Sequence, residues 1–271
     1  MYSEMSGKIA LITGAGKENG IGYTIARRLA DEGVTVVISD ICKDIGAENY
    51  TRIGTKEELD TLAKKINGHG VVLDVTDEDT IASAASYITK NFGRLDYLVN
   101  NAGASPSPQY LQYMDLAMWQ KTLDINVNGT LLVSRHILPL MTEKGAAIVN
   151  TASRAGRKPR AFAGAYCVAK AGVIMLTKVL ALEVAPMGVR VNAICPGQID
   201  TDLERWGWEL EAQILQKDVN EIIEEEISTI PLGRIGVPQD VADLVAFLLS
   251  DQSKYITGQA VNVGGGQLME I

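Results

Sequence analysis

The sequence predicts an α/β protein built on a doubly wound parallel sheet of about seven strands. Three observations predict it. Short β-rich runs alternate with longer segments of helical spacing along the 271-residue chain. Several runs, VTVVIS, LDYLV and AAIVN among them, are continuously apolar, which suits parallel strands covered on both faces. No proline-, glycine- or serine-rich linker, internal repeat or low-complexity tract breaks the pattern, so residues 1–271 are read as one domain.

The strands fall at residues 8–12, 34–39, 70–73, 95–99, 146–150, 189–194 and 259–263. Between the first two, TIARRLADEG opens on Thr24 and closes on Gly33, a hydroxyl start and a glycine stop for a helix. Residues 176–182 and 241–249 carry apolar side chains at helical spacing. Strands separated by helices imply right-handed crossovers on both sides of one sheet. Two stretches exceed a minimal crossover, 41–67 after strand two and 202–231 after strand six. Ligands of open α/β sheets sit beyond the carboxyl ends of the strands. Residues 202–231 begin there and are expected to form a helical substrate lid.

Composition excludes several classes. Lys+Arg total 25 and Asp+Glu 33, a net charge of −8, which argues against a phosphate-neutralising nucleic-acid binder. Hydrophobic residues at 46% and charged residues at 21% make an ordinary globular mixture. No run approaches the ~18–20 apolar residues of a membrane span. The opening MYSEMSGKIALITGAG lacks the pattern of a signal peptide. Cys42, Cys167 and Cys195 are far apart with no CxxC, so neither a disulfide framework nor a zinc site is expected. The expectation is a soluble cytoplasmic protein with reduced thiols. His69 and His136 match no ligand spacing, EIIEEE reads as a solvated helix face, and no metal is assigned.

The first strand runs into TGAGKENGIG, which gathers Gly14, Gly16, Gly20 and Gly22 ahead of a helix. Glycines there let the backbone turn tightly and approach a pyrophosphate, which then sits on the helix N-terminus. Asp40 closes strand two, 18 residues after Gly22, near the ~20 of a dinucleotide fingerprint. A carboxylate at that place accepts hydrogen bonds from an adenosine ribose and repels a 2′-phosphate. The expected cofactor is NAD. NADP is the less favoured alternative, which Lys17 and Lys43 keep open.

Tyr166 and Lys170 stand at i and i+4 in YCVAK, on one face of a helix. A free phenol titrates near 10. An ammonium one turn away favours the phenolate, the tuning a general base needs. Ser153 lies 13 residues before Tyr166, just past the strand 146–150, where its hydroxyl can meet a substrate oxygen as charge develops. Asn126 in DINVNGT and the turn NNAG after strand four complete the set.

Together TGAGKENGIG, Asp40, LDVT, NNAG, NVNG, Ser153, YCVAK and CPGQIDT resemble the short-chain dehydrogenase/reductase family, over residues 8–266. The resemblance implies a Rossmann fold and hydride transfer between a secondary alcohol and a nicotinamide. Tyr166 would be the general base, or the acid in reduction. Lys170 would lower its pKa and bind the nicotinamide ribose, Ser153 would orient the substrate oxygen, and Asn126 would hold a water in a proton relay. Cofactor contacts would come from Gly14, Gly20, Ile21 and Gly22, and from Asp74 and Val75 beside adenine. Asn101, Ala102 and Gly103 would follow on the adenosine side, with Pro196, Gly197, Ile199 and Thr201 around the nicotinamide. A homotetramer is also implied, with the helices carrying Asn126 and Tyr166 between subunits. The glycine loop departs from the family pattern. Five residues separate Gly14 and Gly20 where the family usually has three, which leaves the role of Gly16 open.

The segment SRAGRKPRAFAGAY places Arg154, Arg157, Lys158 and Arg160 close together. Such a cluster either recognises an anionic substrate, such as an acidic sugar, or is a solvated loop or subunit contact. Arg154, Arg157 and Trp206 are taken as candidate substrate contacts. Trp206 and Trp208 either close over the ligand or pack the lid on the body. The long stretch after Asp40 is similar to that of the carveol-dehydrogenase-like subgroup, in which an insertion accompanies a tightly held NAD. Two rival functions are an NADPH-dependent 3-oxoacyl or ketone reductase, which Asp40 fits poorly, and a non-catalytic dinucleotide-binding regulator, against which the full catalytic set argues.

Overall fold

Continuously apolar strands need cover on both faces, and the fold supplies it. A computed structural model describes residues 2–43, 54–106 and 108–269. In chain order the strands are β1 (Ile9–Ile12), β2 (Thr35–Asp40), β3 (His69–Val72), β4 (Tyr97–Asn100), β5 (Ala147–Thr151), β6 (Arg190–Pro196) and β7 (Ala260–Val263). The helices are α1 (Ile21–Ala30), α2 (Lys56–Lys65), α3 (Glu78–Phe92), α4 (Leu116–Leu123), α5 (Gly129–Ile137), α6 (Gly164–Val184), α7 (Asp202–Leu215), α8 (Val219–Ser228) and α9 (Pro238–Leu249).

The strands form one seven-stranded sheet in the order β3-β2-β1-β4-β5-β6-β7, and every pairing is parallel. Alternation within each strand divides the core. Ala10, Ile12, Val36 and Ile38 pack toward α1, α2 and α9, against Ile25, Leu29, Leu59 and Val245. Ile9, Leu11 and Val37 point the other way, to Ile81, Ile88, Val133, Ile137 and Leu180 of α3, α5 and α6. The strand order reverses between β1 and β4, and a crevice opens there at the carboxyl ends of the strands.

Buried polar side chains tie the site-bearing helices to the sheet. Asn100 donates to Ser134 Oγ of α5 (2.9 Å) and to Asn150 Oδ1 of β5 (2.8 Å). Asn150 in turn donates to Thr177 Oγ1 of α6 (2.9 Å). These groups are almost fully buried, where an unmade hydrogen bond costs about 1–3 kcal/mol, so the chain of bonds holds α5 and α6 at a set height on the strands.

All seven expected strands are present, with ends moved by one or two residues. The first helix starts earlier than expected. It begins at Ile21 with Gly20 as its cap, and Thr24 lies inside it, donating its hydroxyl to Gly20 O (3.0 Å). The glycine loop itself delivers the helix N-terminus. Residues 202–231, expected as a lid, form the helix pair α7 and α8. Much of the long stretch after Asp40, residues 44–53, lies outside the described residues, so the insertion likened to the carveol subgroup lies largely there.

Candidate active site

Sequence places glycines where the backbone must come close. Gly14 has a φ of +64°, and a β-carbon on it would lie 2.7 Å from Ala102 Cα. One on Gly22 would lie 2.5 Å from Asn101 Nδ2 and 2.6 Å from Gly14 O. The loop therefore seats directly on the end of β4. Thr13 Oγ1 accepts the amides of Asn101 (3.0 Å) and Ala102 (3.1 Å). Asn101 Nδ2 donates back to Thr13 O (3.0 Å) and Gly14 O (2.9 Å). Thr13 was missed by the sequence reading. Its one signal was a hydroxyl at the mouth of the glycine run.

The open question of Gly16 has a structural answer. Its amide donates to Asp40 Oδ2 at 2.8 Å, and a β-carbon there would lie 2.7 Å from the same oxygen. The longer loop folds over the end of β2. Asp40 Oδ1 accepts the Ile41 amide (2.9 Å). Burial pushes the Asp40 carboxyl above its usual range, against the pull of those amides and the Lys17 charge. Of the two lysines near Asp40, Lys43 pairs with Asp74 (3.4 Å), and Lys17 lines the cavity. Asp74 also accepts the hydroxyl (2.6 Å) and amide (2.9 Å) of Thr76. Val75 packs where a β-carbon on Gly129 would intrude, at 2.7 Å.

The crevice is a cavity of about 1290 Å³. It runs from Gly14, Gly20, Ile21 and Asp40, past Asp74, Val75, Asn101, Ala102 and Gly103, to Ser153, Tyr166 and Lys170, with Pro196, Gly197, Ile199 and Thr201 along its side. Gly22 and Asn126 stand just behind its wall. Gly103 is the hinge between the two ends. A β-carbon on it would lie 2.8 Å from Asn126 Oδ1 and 3.0 Å from Lys170 Nζ.

Asn126 sits in a π-helical turn, Asp124–Asn128, that joins α4 to α5. Its amide nitrogen donates to Ala104 O (2.7 Å) and Thr122 O (2.9 Å), and its buried Oδ1 accepts no hydrogen bond from the described residues. Lys170 is 3% exposed and donates to Thr151 O at 2.8 Å. Its Nζ lies 5.5 Å from the centre of the Tyr166 ring. Burial lowers the Lys170 ammonium to about 8. Burial raises the Tyr166 phenol, the hydrogen bond with Ser153 opposes that, and the Glu204 charge adds to the rise. Ser153 Oγ also accepts the Ala155 amide (3.1 Å). A hydroxyl, a phenol and an ammonium thus converge at one end of a cavity whose other end presents a carboxylate.

The candidate substrate contacts separate. Arg154 and Trp206 line the cavity. Arg157 does not: its guanidinium donates to Ala260 O of β7, drawn away by a carbonyl near the sheet edge. Arg160 binds Glu211 of α7 and lies 3.7 Å from Glu226 of α8. Glu226 is therefore no purely solvated member of EIIEEE; it faces the cavity. Trp208 packs between α7 and α8 with Ala212 and Ile222, while Trp206 lines the cavity. Glu204, which carried no sequence signal, also lines the cavity. Burial pushes its carboxyl up to about 7, with Arg160 and Arg154 opposing and Glu226 and Glu211 adding to the rise. Among the described residues no group of three or more His, Cys, Asp or Glu is placed to hold a metal ion, and no helix is long and apolar enough to cross a membrane. His69 bonds Tyr87, and His136 bonds Glu78.

A family model described as enoyl-(acyl carrier protein) reductase matches residues 14–267. A 3-oxoacyl-[acyl-carrier-protein] reductase of Thermotoga maritima is 35% identical, over 97% of this chain and 98% of the relative. The cis-4-hydroxycyclohexanecarboxylate dehydrogenase of Sinomonas cyclohexanicum is 36% identical, over 96% of each chain. A crystal structure of carveol dehydrogenase from Mycobacterium avium in complex with NAD superposes with a TM-score of 0.90 at 31% identity, over 100% of both chains. The chain belongs to the short-chain dehydrogenase/reductase family. It is a nicotinamide-dinucleotide-dependent oxidoreductase acting on CH–OH and C=O groups.

Glu204 gives a pH test. Its folded carboxyl titrates near 7, above the ~4.3 of a free glutamate. The native state then binds more protons than the unfolded chain between those values, and stability falls as pH rises through the window. Glu204→Gln has no such slope. The melting temperature of the variant minus that of the wild type should increase from pH 4.5 to pH 7.5; a pH-independent difference in a thermal-shift series is the contrary result.

Proposed function

We propose that this chain oxidises a neutral secondary alcohol with NAD, and reduces the corresponding ketone, with Tyr166 carrying the proton. The observation behind this is the convergence of Ser153, Tyr166 and Lys170 at one end of a cavity that Asp40 lines at the other. A dinucleotide fits these residues. The glycine loop leaves no room for side chains, the N-terminus of α1 opens on the cavity, and about 1290 Å³ exceeds the ~300–1,000 Å³ of an ordinary small-molecule pocket. Gly14, Gly20 and Ile21 would hold the pyrophosphate, Asp40 the adenosine ribose, Lys170 the nicotinamide ribose, and Pro196, Gly197, Ile199 and Thr201 the nicotinamide. When bound, the nicotinamide supplies the hydride chemistry.

The chain's own residues handle the proton. Ser153 orients the substrate oxygen. Tyr166 as phenolate takes the carbinol proton in oxidation, and as phenol returns one in reduction. Burial opposes ionisation of Tyr166, so the charge on Lys170 must offset it. At about 8 that ammonium is mostly charged at neutral pH. Asn126, with its Oδ1 free of protein donors, would receive the relay water behind Lys170.

NAD is favoured because Asp40 occupies the end of β2, while Lys43 is drawn to Asp74. The carveol dehydrogenase neighbour, solved with NAD, agrees. The 35%-identical 3-oxoacyl reductase favours a second assignment, an acyl-thioester reductase using NADPH, and a carboxylate at Asp40 opposes it. An anionic substrate is supported by Arg154 and Lys158, which line the cavity, but Arg160 and Arg157 have protein partners and residues 202–231 add glutamates to the wall. Exposed apolar residues along α6, Val168, Met175, Val179 and Leu182, support a homotetramer packed on that helix. Cysteines without disulfides suit a cytoplasmic setting.

Tyr166→Phe should lose about 10²–10⁴-fold in kcat while NADH binding, followed by fluorescence, stays within about threefold; near-normal turnover removes Tyr166 from the role. The wild type should prefer NAD over NADP in kcat/KM, and Asp40→Ala should move that ratio toward NADP by about tenfold or more, the worth of one ~1.4 kcal/mol interaction. Equal efficiency of the wild type with both cofactors would falsify the NAD assignment. Sedimentation equilibrium should give roughly four times the 29.2 kDa chain mass; a monomer is the contrary outcome.

A further inference from the structure

The glutamates around the substrate end of the cavity differ in one respect. Glu204, Glu211, Glu225 and Glu226 all line it. Glu211 binds Arg160, Glu226 lies 3.7 Å from Arg160 and accepts Gln267 at 3.1 Å, and Glu225 pairs with Lys217 at 2.5 Å. The side chain of Glu204 has no hydrogen bond or ion pair among the described residues. It is held in place nonetheless. Thr201 caps α7, accepting the Glu204 amide at 3.3 Å, so Glu204 sits in the first turn of the lid, and its charge acts directly on Tyr166. A half-buried carboxylate without a protein donor, beside the proton-transfer group, has a place for a donor on the ligand.

We infer that Glu204 is a specificity-determining residue, accepting a hydrogen bond from a second hydroxyl of the substrate while Tyr166 serves the reacting one. This rests on the alcohol–ketone reaction proposed above and names its substrate class as hydroxylated, uncharged alcohols. The neighbouring charges oppose the simpler alternatives. Arg154 from the turn after β5 and Arg160 from the following loop both act on Glu204, so a substrate ammonium would meet two guanidinium groups. A substrate carboxylate would meet Glu204 itself, so Arg154 and Lys158, which also line the cavity, would have to hold it against that charge. A hydroxyl donates to the carboxylate with no net charge, and it accepts from the carboxylic acid when Glu204 is protonated. It therefore suits both forms.

The test measures NADH formation from cyclohexanol and from 1,2-, 1,3- and 1,4-cyclohexanediol, with wild type, Glu204→Leu and Glu204→Gln. The wild type should favour at least one diol over cyclohexanol by about tenfold or more in kcat/KM, the range of one hydrogen bond to a charged group. Glu204→Leu should lose about 10- to 100-fold more on that diol than on cyclohexanol, chiefly through KM. Glu204→Gln, close in shape and with an acceptor oxygen retained, should fold as the wild type does and lose several-fold more on the diol. Equal losses on both substrate types, or no diol preference in the wild type, overturns the role of Glu204 while the reaction stands. If the wild type binds NADH but turns over no alcohol, the proposed reaction falls and the inference falls with it.

Discussion

Thr13 receives two amides from the end of β4, and Asn101 returns two hydrogen bonds to the carbonyls of Thr13 and Gly14. The rest of the site depends on this seat. It brings the glycine loop against β4 at separations that only glycine tolerates at Gly14 and Gly22. It also sets the next residues of the same segment. Two positions beyond Asn101, Gly103 lies against both Asn126 and Lys170. One short stretch of backbone thereby links the end that would receive a dinucleotide to the end where a proton would move. Displacing the loop would shift both ends together.

Behind that segment, the site is held by buried polar bonds rather than by apolar packing alone. The run from Ser134 through Asn100 and Asn150 to Thr177 crosses two strands and joins α5 to α6. Such bonds tolerate little displacement, because each donor lost in the interior is costly. Asn126 and Lys170 ride on the elements so joined, which keeps them at fixed positions beneath Tyr166. A catalytic constellation carried on rigid elements is better defined than one carried on loops.

The lid works by a different balance. Several of its charges are paired within the protein, Glu211 and Glu226 with Arg160, Arg205 with Asp200 at 2.6 Å, and Glu225 with Lys217. Of the cluster of cations that stands out in the sequence, Arg157 and Arg160 are engaged by a carbonyl and by acids, while Arg154 and Lys158 line the cavity. Glu204 is instead the cavity-lining carboxylate with no hydrogen bond or ion pair to its side chain among the described residues. Its burial is what makes its protonation sensitive near neutrality.

The strand pattern, the glycine run, Asp40, Ser153, and Tyr166 with Lys170 were all legible in the sequence. Each depends on a local rule: apolar runs for covered strands, absent side chains for close approach, a four-residue offset for one helix face. That residues 202–231 reach the cavity was legible for the same reason, since a long segment after a strand end has few places to go. Other features arise between segments far apart in the chain, and no local rule reaches them. Whether Gly16 touches a ligand or Asp40, whether Arg157 faces the cavity or Ala260, and which of Trp206 and Trp208 packs inward were settled by which surfaces meet once the sheet is wound. Glu204 is the plainest case. In sequence it is one acid among many on an amphipathic helix, and only the fold of α7 along the cavity half-buries it there.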